Sequence, residues 1–135
     1  MKALITGASS GIGRDFAKIL SDKGYDLVLV ARDEQRLKEL QNELKTNTKI
    51  VTMDLSDVEN SKKLHAENAD IDLLINNAGF GLFGNFTETD LNKELNMIDL
   101  NIKSLHILTK LFLKKFQEAD CGRILNVASS AAFLS

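Results

Sequence analysis

The chemistry-bearing residues nearest the start of the chain are Ser9 and Ser10, set in Gly7-Ala8-Ser9-Ser10-Gly11-Ile12-Gly13. Gly7 to Gly11 fits G-x-S-x-G, the turn that presents a serine nucleophile in hydrolases. The same letters fit a glycine-rich turn that lets backbone approach a phosphate at a helix N-terminus. The hydrolase chemistry needs an acid and a histidine further along, on loops beyond strand ends. The two histidines, His65 and His106, both fall inside amphipathic stretches, so Ser9 has no base to activate it. A P-loop would need lysine after the last glycine, and Arg14-Asp15 follow Gly13 instead.

Gly79-Phe80-Gly81-Leu82-Phe83-Gly84 matches G-x-G-x-x-G letter for letter. Asn85-Phe86-Thr87 intervenes before helix-forming residues resume, so Gly84 does not open a helix as phosphate binding requires. That stretch reads as a loop anchored by partly buried Phe80 and Phe83. Gly7, Gly11 and Gly13 satisfy the physics better. Gly7 allows a sharp exit from a strand, Gly11 a close backbone approach to pyrophosphate, and Gly13 tight helix–sheet packing, with Ser9 and Ser10 adding hydroxyl donors. Cys121 cannot form an internal disulfide and has no activating neighbour, which fits a small hydrophobe in a reducing cytosol. No metal site is expected.

Apolar strands alternate with amphipathic helices throughout. Strands are expected at Lys2 to Thr6, Asp26 to Ala31, Ile50 to Met53, Ile71 to Asn76 and Gly122 to Ala128. Helices are expected at Gly11 to Lys23, with Ile12, Phe16, Ile19 and Leu20 inward, and at Asp33 to Lys45, with Leu37, Leu40 and Leu44 inward. A third ends near Glu67. A long helical region runs from Thr87 to about Glu118, with a break or kink expected near Asn101. Near-continuous apolar strands between helices imply a parallel sheet covered on both faces, an α/β doubly wound fold with ligands beyond the strands' carboxyl ends. The length, 135 residues, fits one domain. A net charge of −2 gives no electrostatic reason to bind nucleic acid or anionic membrane, and no apolar run is long enough to span a bilayer. A cytoplasmic protein is expected.

Thr6 to Gly13, Asp54-Leu55, Asn76-Asn77-Ala78-Gly79, Asn101 and Ile124 to Ser130 come in order at strand ends. With that set the whole chain closely resembles the short-chain dehydrogenase/reductase family. The resemblance implies a Rossmann-type sheet of order 3-2-1-4-5, a nicotinamide dinucleotide cofactor and a small-molecule carbonyl or alcohol substrate. It implies that Gly7, Ser9, Ser10, Gly11, Ile12 and Gly13 hold the pyrophosphate and adenosine ribose. Asp54 and Leu55 would contact the adenine, although Asp54 alone reads equally well as a helix cap. Asn77, Ala78 and Gly79 would line the cofactor near the adenine-side ribose and steady the sheet. Arg32 follows the second strand where a carboxylate would favour NAD, and a guanidinium suits a 2′-phosphate, so NADP is expected with NAD possible. A solvated arginine at a strand end is the alternative.

The resemblance also implies that Asn101, otherwise a helix-surface residue, sits at a kink and holds a water in a proton relay. Ser130, with Ser129 second, would hydrogen-bond the substrate carbonyl. The family's Tyr-x-x-x-Lys proton donor has no counterpart: Tyr25 is the one tyrosine, and no lysine follows Ser130. The chain is therefore expected to be the first half to two-thirds of a dehydrogenase, a dinucleotide-binding domain over residues 1–135 that binds cofactor without turnover. Surplus apolar surface on Ile102, Leu105, Leu108, Phe112 and Phe116, with an exposed fifth strand, points to self-association, as a homodimer or homotetramer. A non-catalytic dinucleotide-binding or sensor module is the alternative.

Overall fold

The computed structural model describes residues 1–133. Five parallel strands, β1 (Lys2–Thr6), β2 (Asp26–Ala31), β3 (Thr48–Thr52), β4 (Leu73–Asn76) and β5 (Arg123–Asn126), form one sheet in the order β3-β2-β1-β4-β5. The connections carry α1 (Gly11–Asp22), α2 (Glu34–Glu43) and α3 (Val58–Glu67). Between β4 and β5, α4 (Leu91–Ile98), a π-helical segment (Asp99–Ser104) and α5 (Leu105–Glu118) run without interruption. A 3-10 turn, Ser130–Phe133, follows β5. The expected fold and strand order are those observed.

Alternation along the central strands explains the layering. Ala3, Ile5, Leu27 and Leu29 meet Ala17, Leu20, Leu37 and Leu40 from α1 and α2 in one core. Leu4, Val28, Val30 and Leu74 face the opposite way, onto Leu64 of α3 and Leu108, Phe112 and Phe116 of α5. Register places Lys2 opposite Asp26 and Thr6 opposite Val30, so β1 and β2 end together at the sheet's carboxyl edge.

Several elements depart from the sequence expectation. β3 starts at Thr48 and ends at Thr52, because pairing of Leu27 to Ala31 with Thr48 to Thr52 carries the strand past its apolar centre. α1 buries Gly13, Ala17, Leu20 and Ser21, while Ile12 and Ile19 stay exposed. The seam of small residues lets the helix lie close on the sheet and turns Ile12 and Ile19 outward, while Phe16 and Leu20 pack on the core. Phe83, expected as a partly buried anchor, is 86% exposed. The long helical region begins at Leu91 because Asp90 caps it, accepting from the Lys93 amide at 2.9 Å. The expected break near Asn101 is the π segment. Of the expected surplus apolar set, Leu108, Phe112 and Phe116 are buried and Ile102 is exposed. The exposed stripe continues backward through Ile98, Leu95 and Leu91. Among the described residues, no helix is long and apolar enough to cross a membrane.

Candidate functional site

The helix starts show where the fold leaves polar capacity unused. Asp33, Asp57 and Asp90 each accept a first-turn amide of α2, α3 or α4 through the side chain. Ser10 precedes α1 in an extended conformation and makes no side-chain cap, so the α1 amides and the Ser10 hydroxyl remain available to an outside acceptor. Asp33 is thereby assigned to α2 as its cap, with the Arg36 amide at 3.0 Å.

The turn from β1 into α1 is fixed by two close approaches. Gly7 has φ +65°, and a Cβ there would lie 2.9 Å from the Ala78 Cα. A Cβ on Gly13 would lie 2.3 Å from the Gly7 carbonyl oxygen and 2.5 Å from Asn77 Nδ2. Asn77 locks that turn, donating from Nδ2 to the Thr6 and Gly7 carbonyls at 3.1 Å each. Thr6 Oγ1 accepts the Asn77 and Ala78 amides, both at 3.0 Å, which ties the loop after β4 to the end of β1.

Above this turn lies a cleft of about 330 Å³ at the carboxyl ends of β1 to β4. It brings together Gly7, Ser9, Ser10, Ile12, Arg32, Asp54, Leu55, Asn77, Ala78 and Gly79, all from connections that leave the sheet at that edge. Gly13 lies buried beneath the turn and Gly11 is exposed at the helix start; neither lines the cleft. Val30, Ala31, Met53 and Leu100 also line it and escaped the sequence reading. Val30, Ala31 and Met53 sit at strand ends, where the ligand rule for open sheets points. Leu100 is delivered by the π segment, and no residue pattern announces it.

Asp54 is not a helix cap; Asp57 has that role. Its carboxylate accepts the Ser56 hydroxyl at 2.7 Å and the Ser56 amide at 2.9 Å. The Ser56 hydroxyl foremost, then the Ser56 amide and the Arg32 charge, outweigh partial burial and hold the Asp54 carboxyl below its ordinary value. Asp54 is therefore an anionic acceptor at neutral pH. Among the described residues Arg32 makes no ion pair, so the cleft carries one free guanidinium. A helix N-terminus, serine hydroxyls and this guanidinium suit phosphates, while Asp54 suits an amino donor.

Asn101 and Ser130 do not line the cleft. Asn101 sits in the π segment and grips the Phe80 peptide, with Oδ1 accepting its amide at 3.0 Å and Nδ2 donating to its carbonyl at 2.8 Å. Ser130 opens the 3-10 turn beyond β5 and is exposed, while Ser129 Oγ accepts the Ala131 amide at 3.1 Å. His65 packs edge-on against Phe112, with ring centroids 4.8 Å apart, and burial foremost, then the Lys115 charge, lowers its pKa. Neither His65 nor the exposed His106 reaches Ser9's cleft.

Comparison with known proteins places this site in context. An uncharacterised oxidoreductase of Staphylococcus epidermidis is 39% identical over 136 residues, covering 97% of this chain and 59% of that protein. A short-chain dehydrogenase from Sphingobium yanoikuyae, solved in complex with NADPH, matches with a TM-score of 0.91 at 34% identity, over 98% of this chain and 55% of that one. The bulky-bulky ketone specific alcohol dehydrogenase from Comamonas testosteroni matches with a TM-score of 0.90 at 32% identity, over 98% and 56%. The chain thus spans a little over half the length of these relatives. The family model described as short chain dehydrogenase matches residues 1–135, and the chain belongs to that family.

Proposed function

We propose that the protein represented by this chain is an NADP-preferring oxidoreductase that interconverts a small-molecule carbonyl and alcohol by hydride transfer, and that residues 1–135 are its dinucleotide-binding domain. The observation that carries the cofactor reading is the cleft itself. Its uncapped α1 terminus, Ser9 and Ser10 meet a pyrophosphate, and ionised Asp54 beside Leu55 meets an adenine amine. Asn77, Ala78 and Gly79 form the wall beyond. Gly11 and Gly13 act from beneath, by allowing the turn and its close packing. The bound complex of the Sphingobium yanoikuyae relative supports NADP chemistry in this family.

Preference for the phosphorylated cofactor rests on Arg32. It stands just past β2, where among the described residues no carboxylate pairs with it, and Asp33 is occupied as the α2 cap. A guanidinium there attracts a 2′-phosphate, where a carboxylate would repel it. When bound, the reduced nicotinamide supplies the hydride. Ser130 polarises the substrate carbonyl, and Asn101 supports proton delivery from its place in the π segment while holding the Phe80 peptide. The carbonyl oxygen needs a proton donor. The one tyrosine, Tyr25, precedes β2 at the amino end of the sheet, opposite the cleft, so the isolated chain binds cofactor without turning it over. The exposed stripe of Leu91, Leu95, Ile98 and Ile102 supports self-association as a homodimer or homotetramer, readable by sedimentation.

Thermal denaturation with NADPH, with NADH and with neither tests the reading. At a hundredfold excess over its dissociation constant a ligand adds roughly 2.7 kcal/mol, a rise of roughly 10 °C for a domain of this size. NADPH is expected to give that rise at lower concentration than NADH. No rise with either cofactor refutes the reading, and an equal response refutes the preference.

A further inference from the structure

The π segment touches both walls of the cleft. Asn101 holds the Phe80 peptide in the loop after β4. Three residues on, Ser104 is almost fully buried and its hydroxyl donates to the Leu55 carbonyl in the loop after β3. Leu100, from the same segment, lines the cleft. The other bonds of residues 53–57 are local or belong to neighbouring ends: Asp54 to Ser56, Asn60 Nδ2 to the Asp54 carbonyl at 2.8 Å, and the Met53 amide to the Ala31 carbonyl at 2.9 Å. Ser104 is thus the hydrogen bond that reaches the middle of this loop from the helical segment, beside the burial of the Leu55 side chain in the second core.

Resting on the reading of the cleft as a dinucleotide site, we propose that Ser104 is a positioning residue for its adenine-side wall, setting where Asp54 and Leu55 stand by holding the Leu55 carbonyl. Loss of the hydroxyl leaves a buried carbonyl without its donor, and the loop relaxes to find another. Asn101 and Ser104 both lie in the π segment, three residues apart, and reach different loops.

The test uses the 135-residue chain with adenosine 2′-phosphate as probe, measured by calorimetry beside amide exchange. Ser104→Ala is expected to weaken that probe about fivefold to tenfold, the scale of one buried hydrogen bond, and to speed exchange in residues 53–57. Exchange in the loop after β4, still gripped by Asn101, is expected to stay unchanged. Thr109→Val serves as the merely structural control. It removes one of the two acceptors of Asn76 Nδ2, at 3.1 Å and away from the loop, and is expected to lower stability while leaving probe affinity intact. An unmoved affinity in Ser104→Ala, or exchange that rises equally in both loops, overturns the role of Ser104. Failure of the unaltered chain to bind the probe overturns instead the cofactor reading on which it rests.

Discussion

Gly13→Ala is the sharpest test of how the turn is built. A methyl at position 13 would stand 2.3 Å from the Gly7 carbonyl oxygen and 2.5 Å from Asn77 Nδ2. Those two atoms are themselves hydrogen-bonded at 3.1 Å, so neither can retreat without disturbing the other. A shift of about 0.7 Å is needed to clear the oxygen alone. Overpacking of this kind costs about 1–3 kcal/mol, and breaking the Asn77 bond adds about 1 kcal/mol. Alanine's better helix propensity returns about 1 kcal/mol. The net loss is about 2 kcal/mol, or a midpoint roughly 7 °C lower by circular dichroism for a domain of this length. Gly11→Ala separates sterics from backbone strain, because its φ is +51° with no atom within 4 Å of the added carbon. Its cost is the left-handed backbone alone, about 1 kcal/mol, and so about half the midpoint shift. Dinucleotide affinity is expected to fall further in Gly13→Ala, whose displaced turn carries Ser9 and Ser10 with it. A Gly13→Ala chain as stable as the parent, or the two variants falling equally, would refute the reasoning.

Arg32→Glu is expected to reverse the order of NADPH and NADH in the same thermal titration, since a carboxylate at the end of β2 repels a 2′-phosphate and accepts from a 2′-hydroxyl; retained NADPH preference would move the determinant elsewhere. Burial and Lys115 hold the His65 pKa below its ordinary 6.5, so the unfolded chain takes up the proton first as pH falls. Stability is therefore fully present above about 6.5 and declines below it until the folded histidine titrates; His65→Phe, which keeps an aromatic edge on Phe112, is expected to flatten that part of the pH–midpoint curve. The Asp54 carboxyl lies below the ordinary 3.8, so its contribution is present above that value and is lost as pH falls through the lower folded pKa. Denaturant melts should show the parent's advantage over Asp54→Asn at pH 7 shrinking towards strong acid, and an advantage independent of pH would count against the Ser56 and Arg32 contacts.

How far these features were legible depended on whether local physics or distant packing set them. β1 and β2 are buried on both faces, so their apolar runs mark their limits, and the helix cap Asp33 is a chemical signal in the chain itself, whereas the Asp90 cap lies three residues beyond the expected start at Thr87. Ile12 and Ile19 misled because apolar periodicity assumes that the largest side chains face the core, whereas α1 approaches closely through Gly13 and Ala17. β3 misled because an edge strand's length follows its partner's register as well as its own hydrophobicity. Asn101 was reached through family resemblance. The π turn around it bonds to two loops, after β3 and after β4, that no short window contains.

Gly7 to Gly11 raises the same problem at the scale of a site. A strand, a tight turn and a helix N-terminus present Ser9 equally well to an ester or to a phosphate, so the turn alone cannot choose its chemistry. The neighbouring strand ends choose it. They deliver a guanidinium from Arg32 with no ion pair among the described residues, an ionised carboxylate from Asp54 whose Oδ1 accepts from Ser56, and an Asn77 amide spent on the backbone. Among the described residues none of these is hydrogen-bonded to the Ser9 hydroxyl, and a carboxylate held below its ordinary pKa is a weak base. The titratable base nearest to suitable, His65, is turned into the α3–α5 interface against Phe112. Ser9 therefore keeps the reactivity of an ordinary alcohol, in a cleft whose two walls are each gripped from the π segment, by Asn101 and by Ser104.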